Sequence, residues 1–555
     1  MKSAKICDSD ILQVLTIIQM HNIRPKARLL HFNVILLVLL LPINLSAQQP
    51  TTGYLEVQVI DATTNQLMPV RVRLSRNGWA VKNLPKEATA VMYGVWDHAD
   101  GYDYQPDSSF YVAGKFSLDL PPGTYHLTLA KGPEFVEQQH DIQIIAGQVQ
   151  QQTYQLKRWI NMPEKGWYSA DDHIHIRRSP REDSLLLTWT QAEDVHVGVM
   201  LRMGDFWETY YPQYAWGEKG VYQKKDYLLT SGQEDPRTPE LGHALGIGAS
   251  DKVRFGKEYY YYDKVFDKLR ELGGLGGYAH QAETFHGYRG LTLDGLRGKI
   301  DVLELLQFCA SDKPLITNHY YHLLDLGIPI TAVAGSDFPW CGQDHDKGPP
   351  ERSARLGNVR FYTYVDGPLT YNSWKAGLAA GHTFVSNGPM LQFTVNDQLP
   401  GSKLEASKGT TLHITAHAYG HTAQVPLQSL EIVGHGRVLG RVTPSDAGQS
   451  PDHLSLTLDI PAEQGIWLAA RAYGNPTQAA HTTPVYVQVD GKNFHNPVTA
   501  PQYLKLSEQY LKELKKNLKT RQTDPQYRGW QYRAGLERRI AETQQVIKGM
   551  KKQLK

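Results

Sequence analysis

Three cysteines in 555 residues, Cys7, Cys309 and Cys341, are too few for a disulfide framework. Cys7 precedes the apolar segment near the N-terminus; Cys309 and Cys341 read as free thiols, and against the rival reading of a catalytic cysteine neither sits in a recognisable nucleophile motif. Net charge is also scarce. The 58 Lys and Arg against 56 Asp and Glu leave +2, so no global field recruits nucleic acid or an anionic membrane. The apolar run Val34–Leu41 falls short of the ~20 residues that span a bilayer. It lies between the basic residues Arg24, Lys26 and Arg28 and the stretch Asn44-Leu45-Ser46-Ala47, the order of a secretory signal. This predicts a mature chain starting near Gln48, periplasmic or extracellular, with no stable membrane span once the signal (1–47) is removed; Met20 is an alternative start.

What is present is ordinary apolar content, 41%, on a chain too long for one core. Leu55, Val57 and Val59 alternate with polar residues, and Pro121-Pro122-Gly123 turns into the strand His126–Ala130, so residues 48–160 read as a small antiparallel β-sandwich; it resembles carboxypeptidase regulatory-like modules and serves as a structural spacer or, alternatively, as a docking or substrate-orienting module. From Trp167 the runs Val195–Leu201, Leu275–Ala279, Val302–Leu306 and Ile328–Ala334 alternate with helical stretches such as Tyr260–Leu272 and Tyr320–Leu326. That texture predicts a parallel α/β barrel over 161–395. Alternation returns at Leu412, Ile414 and Ala416, at Leu430 and Ile432, and at Ile466, Leu468 and Ala470, giving a second sandwich over 396–495. Residues 496–555 place Tyr503, Tyr510, Leu514 and Leu518, then Leu536, Ile540, Ile547, Met550 and Leu554, at helical spacing, broken at Asp524-Pro525 and Gly529. This predicts an α-hairpin whose lysines face water rather than nucleic acid. The fold class expected is multidomain α/β plus all-β.

The chemistry concentrates in a few segments. In Asp171-Asp172-His173-Ile174-His175, residues i and i+2 of a strand point the same way about 6–7 Å apart, so two imidazoles can grip one metal ion. Further on come Gly232-Gln233-Glu234, Gly242-His243, Ala279-His280 and Gly335-Ser336-Asp337, each with an acid or histidine beside glycine or at the end of an apolar run. A parallel barrel presents active-site residues at such strand ends, and mixed His and carboxylate donors suit Zn²⁺, Mn²⁺ or Fe²⁺. Arg177, Arg178 and Arg181 offer guanidinium forks for an anionic group. The aromatics Phe206, Trp207, Tyr210, Tyr211, Tyr214, Trp216, Tyr222 and Tyr227, with the run Tyr259 to Tyr262, suit either a lid or a wall for a flat or sugar-like substrate.

The order of these motifs resembles the PHP (polymerase and histidinol phosphatase) superfamily, and within it the carbaryl-hydrolase-like CehA/McbA metallohydrolases. The resemblance covers roughly residues 52–490 and extends to Gly381-His382-Thr383-Phe384-Val385-Ser386-Asn387-Gly388-Pro389. It implies a distorted (β/α) barrel with His173, His175, Glu234, His243, His280 and Asp337 as metal ligands. Two departures reduce the expected number of ions to one or two. Asp205 stands where relatives carry Thr-Asp-His, and Asp337-Phe338-Pro339 replaces Asp-x-His. Glu304 is a candidate for orienting a ligand or passing a proton, with Asp205 and Arg177 as further catalytic candidates.

The function expected is an exported metal-dependent hydrolase of an ester, carbamate, amide or phosphoester bond in a small-molecule or glycan-like substrate. A divalent ion lowers the pKa of water from about 15.7 towards 7 and polarises the scissile group. The alternative is a non-catalytic glycan- or peptide-binding protein on a degenerate scaffold. Metal content separates the two.

Overall fold

A computed structural model describes residues 51–92, 101–102, 108–307, 315–339, 355–520 and 533–554. The expected signal segment, all three cysteines and the break at Asp524-Pro525 and Gly529 lie outside these residues. Within them the protein is mixed α/β and strand-rich.

Alternation decides the first layers. Along Gly53–Asp61 the side chains of Leu55, Val57 and Val59 are buried and those between them are not, as a strand with one wet face requires. This strand lies between Lys115–Leu120 and Val149–Leu156, and the sheet packs on a second one containing Val70–Arg76, Gly123–Ala130 and Gln138–Ile144. The antiparallel expectation needs one correction. Gly53–Asp61 and Val149–Leu156 run parallel, because the last strand enters this sheet by crossing over from the other rather than by a hairpin.

Trp167–Ile174 and Val197–Gly204 are buried at every position, the mark of strands covered on both faces. Together with Tyr227–Thr238 they form parallel neighbours. Gly242–Ile247 then runs back antiparallel to Tyr227–Thr238, and Leu275–Tyr278 is antiparallel to it in turn. Val302–Leu306 and Thr331–Ala334 follow in parallel register. The sheet curls as a half-barrel, so that Ile174 forms a bridge with Phe338, just beyond its last strand. The expected all-parallel barrel is therefore corrected to a mixed sheet: a short turn joins Thr238 to Gly242, where a parallel connection would need a crossover of a dozen or so residues. Helices cover the outside, Tyr262–Glu271 among them with Val265, Phe266 and Leu269 turned to the core.

Arg360–Tyr364 pairs with Trp167–Ile174, Thr383–Ser386 with Arg360–Tyr364, and Ala479–Thr482 with Thr383–Ser386, so the curled sheet runs on into the second sandwich. The facing sheet contains Met390–Val395, Thr411–Tyr419 and His453–Pro461, so this sandwich takes a strand from before residue 396. Trp167, Tyr362 and Phe384 share an apolar core with Leu412, Ile414 and Leu468. Residues 50–555 consequently form one compact unit.

Helices Ala500–Thr520 and Arg533–Gln553 bury Leu504, Leu511, Leu514, Leu518, Leu536, Ile540 and Ile547 in the core beneath the half-barrel's helices. Arg539 is fully buried and donates to both carboxylate oxygens of Asp294, at 2.7 and 2.6 Å, and to the Tyr260 carbonyl at 2.6 Å. Lys505, Lys512, Lys515, Lys516 and Lys519 are exposed. Among the described residues no helix is long and apolar enough to cross a membrane.

Candidate metal centre

The strand ends meet at one rim of the half-barrel. His173 lies near the end of Trp167–Ile174 and His175 just past it; His280 follows Leu275–Tyr278, and Asp337 follows Thr331–Ala334. Glu234 lies within the long strand Tyr227–Thr238, opposite Met203 near the end of Val197–Gly204. His243 sits at the start of an antiparallel strand, and the reversal of direction brings that start to the same rim. Asp171 ties the arrangement together by accepting from the backbone N–H groups of His173, Ser336 and Gly357. Gly335 permits the close approach, since a Cβ there would stand 2.4 Å from that of His173.

The six side chains converge. Nε2 of His173 and Nε2 of His175 are 3.1 Å apart, and His243 Nδ1 is 2.6 Å from Glu234 Oε1. His280 Nε2 lies 3.4 Å from Glu234 and 3.5 Å from Asp337, and His175 Nε2 lies 3.4 and 3.2 Å from the same two carboxylates. Two overlapping triads, His173 with Glu234 and His280, and His173 with His175 and Asp337, have the spacing of metal donors. The fit is supported by what is left unsatisfied among the atoms that face the cluster: His280 Nε2 and Glu234 Oε2 are buried without a hydrogen-bond partner. Arg237 Nε is 3.0 Å from that Glu234 oxygen, as an ion pair without hydrogen-bond alignment.

The protonation states follow from position. Burial would raise the Glu234 carboxyl, but Arg237 and His243 hold it well below the usual carboxylate range. Burial is likewise overridden at Asp337, where His173, His175 and His280 depress the carboxyl. His243 is pushed down to about 3 by burial, which outweighs the pull of Glu234, and burial lowers His175 as well. These are the deprotonated donors a metal requires. His173 goes the other way: despite burial, Glu304 and Asp337 raise it well above the ordinary histidine value. It is the point in the cluster where positive charge is most wanted.

Glu304 accepts from His173 Nδ1–H at 2.6 Å and from the His280 backbone N–H at 2.6 Å, which fixes the ring and turns Nε2 inward. It therefore orients a donor. Two other expected residues are not brought to the cluster. Asp205 closes a turn by accepting from the N–H groups of Trp207 and Glu208 and from the Tyr210 hydroxyl, and Arg177 Nε pairs with Glu182 at 3.3 Å. The neighbouring Arg178 is buried against Asp183 at 2.7 Å, so two of the three arginines of the expected clamp are spent on local ion pairs, while Arg181 is exposed.

The aromatics divide. Tyr259, Tyr260 and Tyr262 are struts: their hydroxyls bond the Gly204 carbonyl, Glu240 and the Gly242 carbonyl. Tyr211 stacks on His175 with ring centroids 5.4 Å apart. Sequence reasoning missed Arg237 and Phe285, whose ring stacks on His243 at 4.5 Å. Arg237 was hidden because a strand residue three positions from Glu234 should face the other way, and a register shift between the two turns both to the rim. Phe285 was hidden because its backbone is left-handed, with φ of 50°, in a segment where His280, Gln281, Ala282 and His286 are also left-handed. Asp337 and Tyr211 share this conformation, at φ of 57° and 54°. Each such residue costs on the order of 1–3 kcal/mol and persists only where its surroundings hold it, as at binding sites.

No family model, curated protein or solved structure matches the chain.

Proposed function

We propose that the protein is an exported metal-dependent hydrolase of the PHP type, its half-barrel a distorted form of that superfamily's barrel. The reading is carried by one observation: two overlapping buried triads, His173 with Glu234 and His280 and His173 with His175 and Asp337, have the spacing of metal donors, and His243 adjoins them 2.6 Å from Glu234. His173, His175, Glu234, His243, His280 and Asp337 would hold one or two divalent ions, Zn²⁺, Mn²⁺ or Fe²⁺. A bound divalent ion supplies Lewis acidity and makes water a competent nucleophile near neutral pH. The chain's own groups do the rest. Glu304 keeps the His173 ring in place, and Arg237, beside Glu234 and His243, holds the Glu234 carboxylate ionised. Hydrolysis then leaves an acid and an alcohol, amine or phenol. The test is the metal content of the purified full chain, followed by a hydrolysis screen over aryl phosphates, phosphodiesters, esters and carbamates with each ion. About one or more tightly held ions per chain and chelator-sensitive turnover are expected. A metal-free chain indifferent to chelator overturns the reading and favours a glycan- or peptide-binding protein.

A further inference from the structure

Around the cluster, one charged side chain stands apart by its exposure. The Arg237 side chain is 23% exposed, whereas those of Glu234 and His243, which it touches, are 1% and 6% exposed. Its Nε is committed to these two, 3.0 Å from Glu234 and 3.3 Å from His243 Nδ1. Its terminal Nη1 and Nη2 make no hydrogen bond among the described residues, and the carboxylates whose charge acts on the guanidinium are Glu234, Asp337 and Asp205. The outer end of this guanidinium therefore lies at the mouth with its paired N–H donors unused, the arrangement that grips a carboxylate or phosphoryl group bidentately. A divalent ion would offset the charges of Glu234 and Asp337, two of the three carboxylates that act on Arg237, and so strengthen its pull on an anionic ligand.

Beside it, the approach is apolar. Phe285 is 51% exposed yet stacked on His243 with an interplanar angle of 17°, and its left-handed backbone is strained to hold it there. On the other flank Tyr211 is buried against His175, so access is from the side of His243. We propose that the substrate is an anionic ester, with an oxyanion group recognised by Arg237 and a flat apolar part packed on Phe285. This rests on the hydrolase reading and narrows it to a substrate class.

The oxyanion is either the scissile phosphoryl group or a spectator carboxylate, and the probes separate them. On metal-loaded full chain, calorimetry with succinate and with inorganic phosphate should show binding that weakens by about tenfold or more in Arg237→Met, with Arg237→Lys intermediate because it keeps the charge but loses the fork. Kinetics should show KM for para-nitrophenyl hemisuccinate or para-nitrophenyl phosphate rising in Arg237→Met while KM for the neutral para-nitrophenyl acetate does not. Phe285→Ala should raise KM for all three. A response to phosphate alone identifies the scissile group as the anion, and a response to succinate and hemisuccinate alone identifies a spectator carboxylate. Equal affinity for both anions in loaded parent and Arg237→Met overturns the proposal. Failure of the chain to take up metal overturns the hydrolase reading instead, and the metal content measured alongside tells the two failures apart.

Discussion

Two ionic clusters are buried in this molecule, and they are built on opposite plans. Where the first sandwich meets the curled sheet, Arg158 donates to Glu134 at 2.8 Å and to both oxygens of Asp194 at 2.7 Å. The hydroxyls of Tyr227 and Tyr362 complete the same carboxylates at 2.6 and 3.0 Å, and none of these polar atoms lacks a partner. At the rim, acceptors face acceptors. Imidazole nitrogens crowd one another and two carboxylates, and two of the buried donor atoms, His280 Nε2 and Glu234 Oε2, have no hydrogen bond. An unsatisfied buried polar atom costs about 1–3 kcal/mol, so the junction supports the fold whereas the rim draws on stability supplied elsewhere. A cation bound at the rim would remove that imbalance, and a cation bound at the junction would create one.

The sharpest way to break the contrast is to damage each cluster in turn. His175→Ala or Glu234→Gln should abolish metal retention and lower hydrolysis by roughly a thousandfold or more while leaving the urea midpoint near that of the parent without metal. Arg158→Met should do the reverse. Removing one partner from a buried ionic group costs about 3–5 kcal/mol, with metal stoichiometry unchanged in the fraction that remains folded. Both variants behaving alike would dissolve the distinction.

Glu304→Gln tests whether the rim has a supporting layer. His173 would lose its carboxylate acceptor, and metal affinity, read by competition with a chromogenic chelator, should fall by about 10–100-fold while the fold persists. An unchanged affinity would leave Glu304 without the orienting role.

The junction can be sharpened by pH. Burial holds His196 down at about 3, below its ordinary 6.5, so between these values the unfolded chain carries a proton the folded one lacks. Its contribution to stability is complete above about 6.5 and is lost as pH falls towards 3. Glu134 slopes the other way. Burial raises it from 4.5 to about 7, the folded chain keeps a proton the unfolded one releases, and stability from this group declines as pH rises across that window. Urea midpoints at several pH values should show the parent's advantage over His196→Gln growing with pH and its advantage over Glu134→Gln shrinking. Parallel curves for all three proteins would contradict both assignments.

The smallest effect is expected at Asp205→Asn. Its oxygens serve a turn, so metal content should not change, and loss of the turn's hydrogen bonds should cost about 1 kcal/mol. A large drop in metal content would return Asp205 to the rim.

Several features were legible in the chain because they depend on residue type and short spacing. Alternation along Gly53–Asp61 marks a one-sided strand, the leucines of Ala500–Thr520 mark a helix with one buried stripe, and His173 with His175 marks two imidazoles on one side. Each can be read locally, since side-chain direction in a regular element repeats every two residues or every 3.6. The donor types gathered at the rim were also visible, one segment at a time.

Only the tertiary structure decided how those segments meet. Asp171 is joined to Ser336 and Gly357, partners far along the chain that no local pattern announces. A register shift brings Glu234 and Arg237 to the same rim, and left-handed backbones at His280, Phe285 and Asp337 aim their side chains where regular strands or helices would not. The second sandwich shares its sheet with the half-barrel through Thr383–Ser386 and Ala479–Thr482, so a boundary drawn from pattern alone divides a continuous structure. The chain could name the donors because their chemistry belongs to single residues. The spacing that makes them a centre belongs to packing, which sets distances between atoms far apart in sequence.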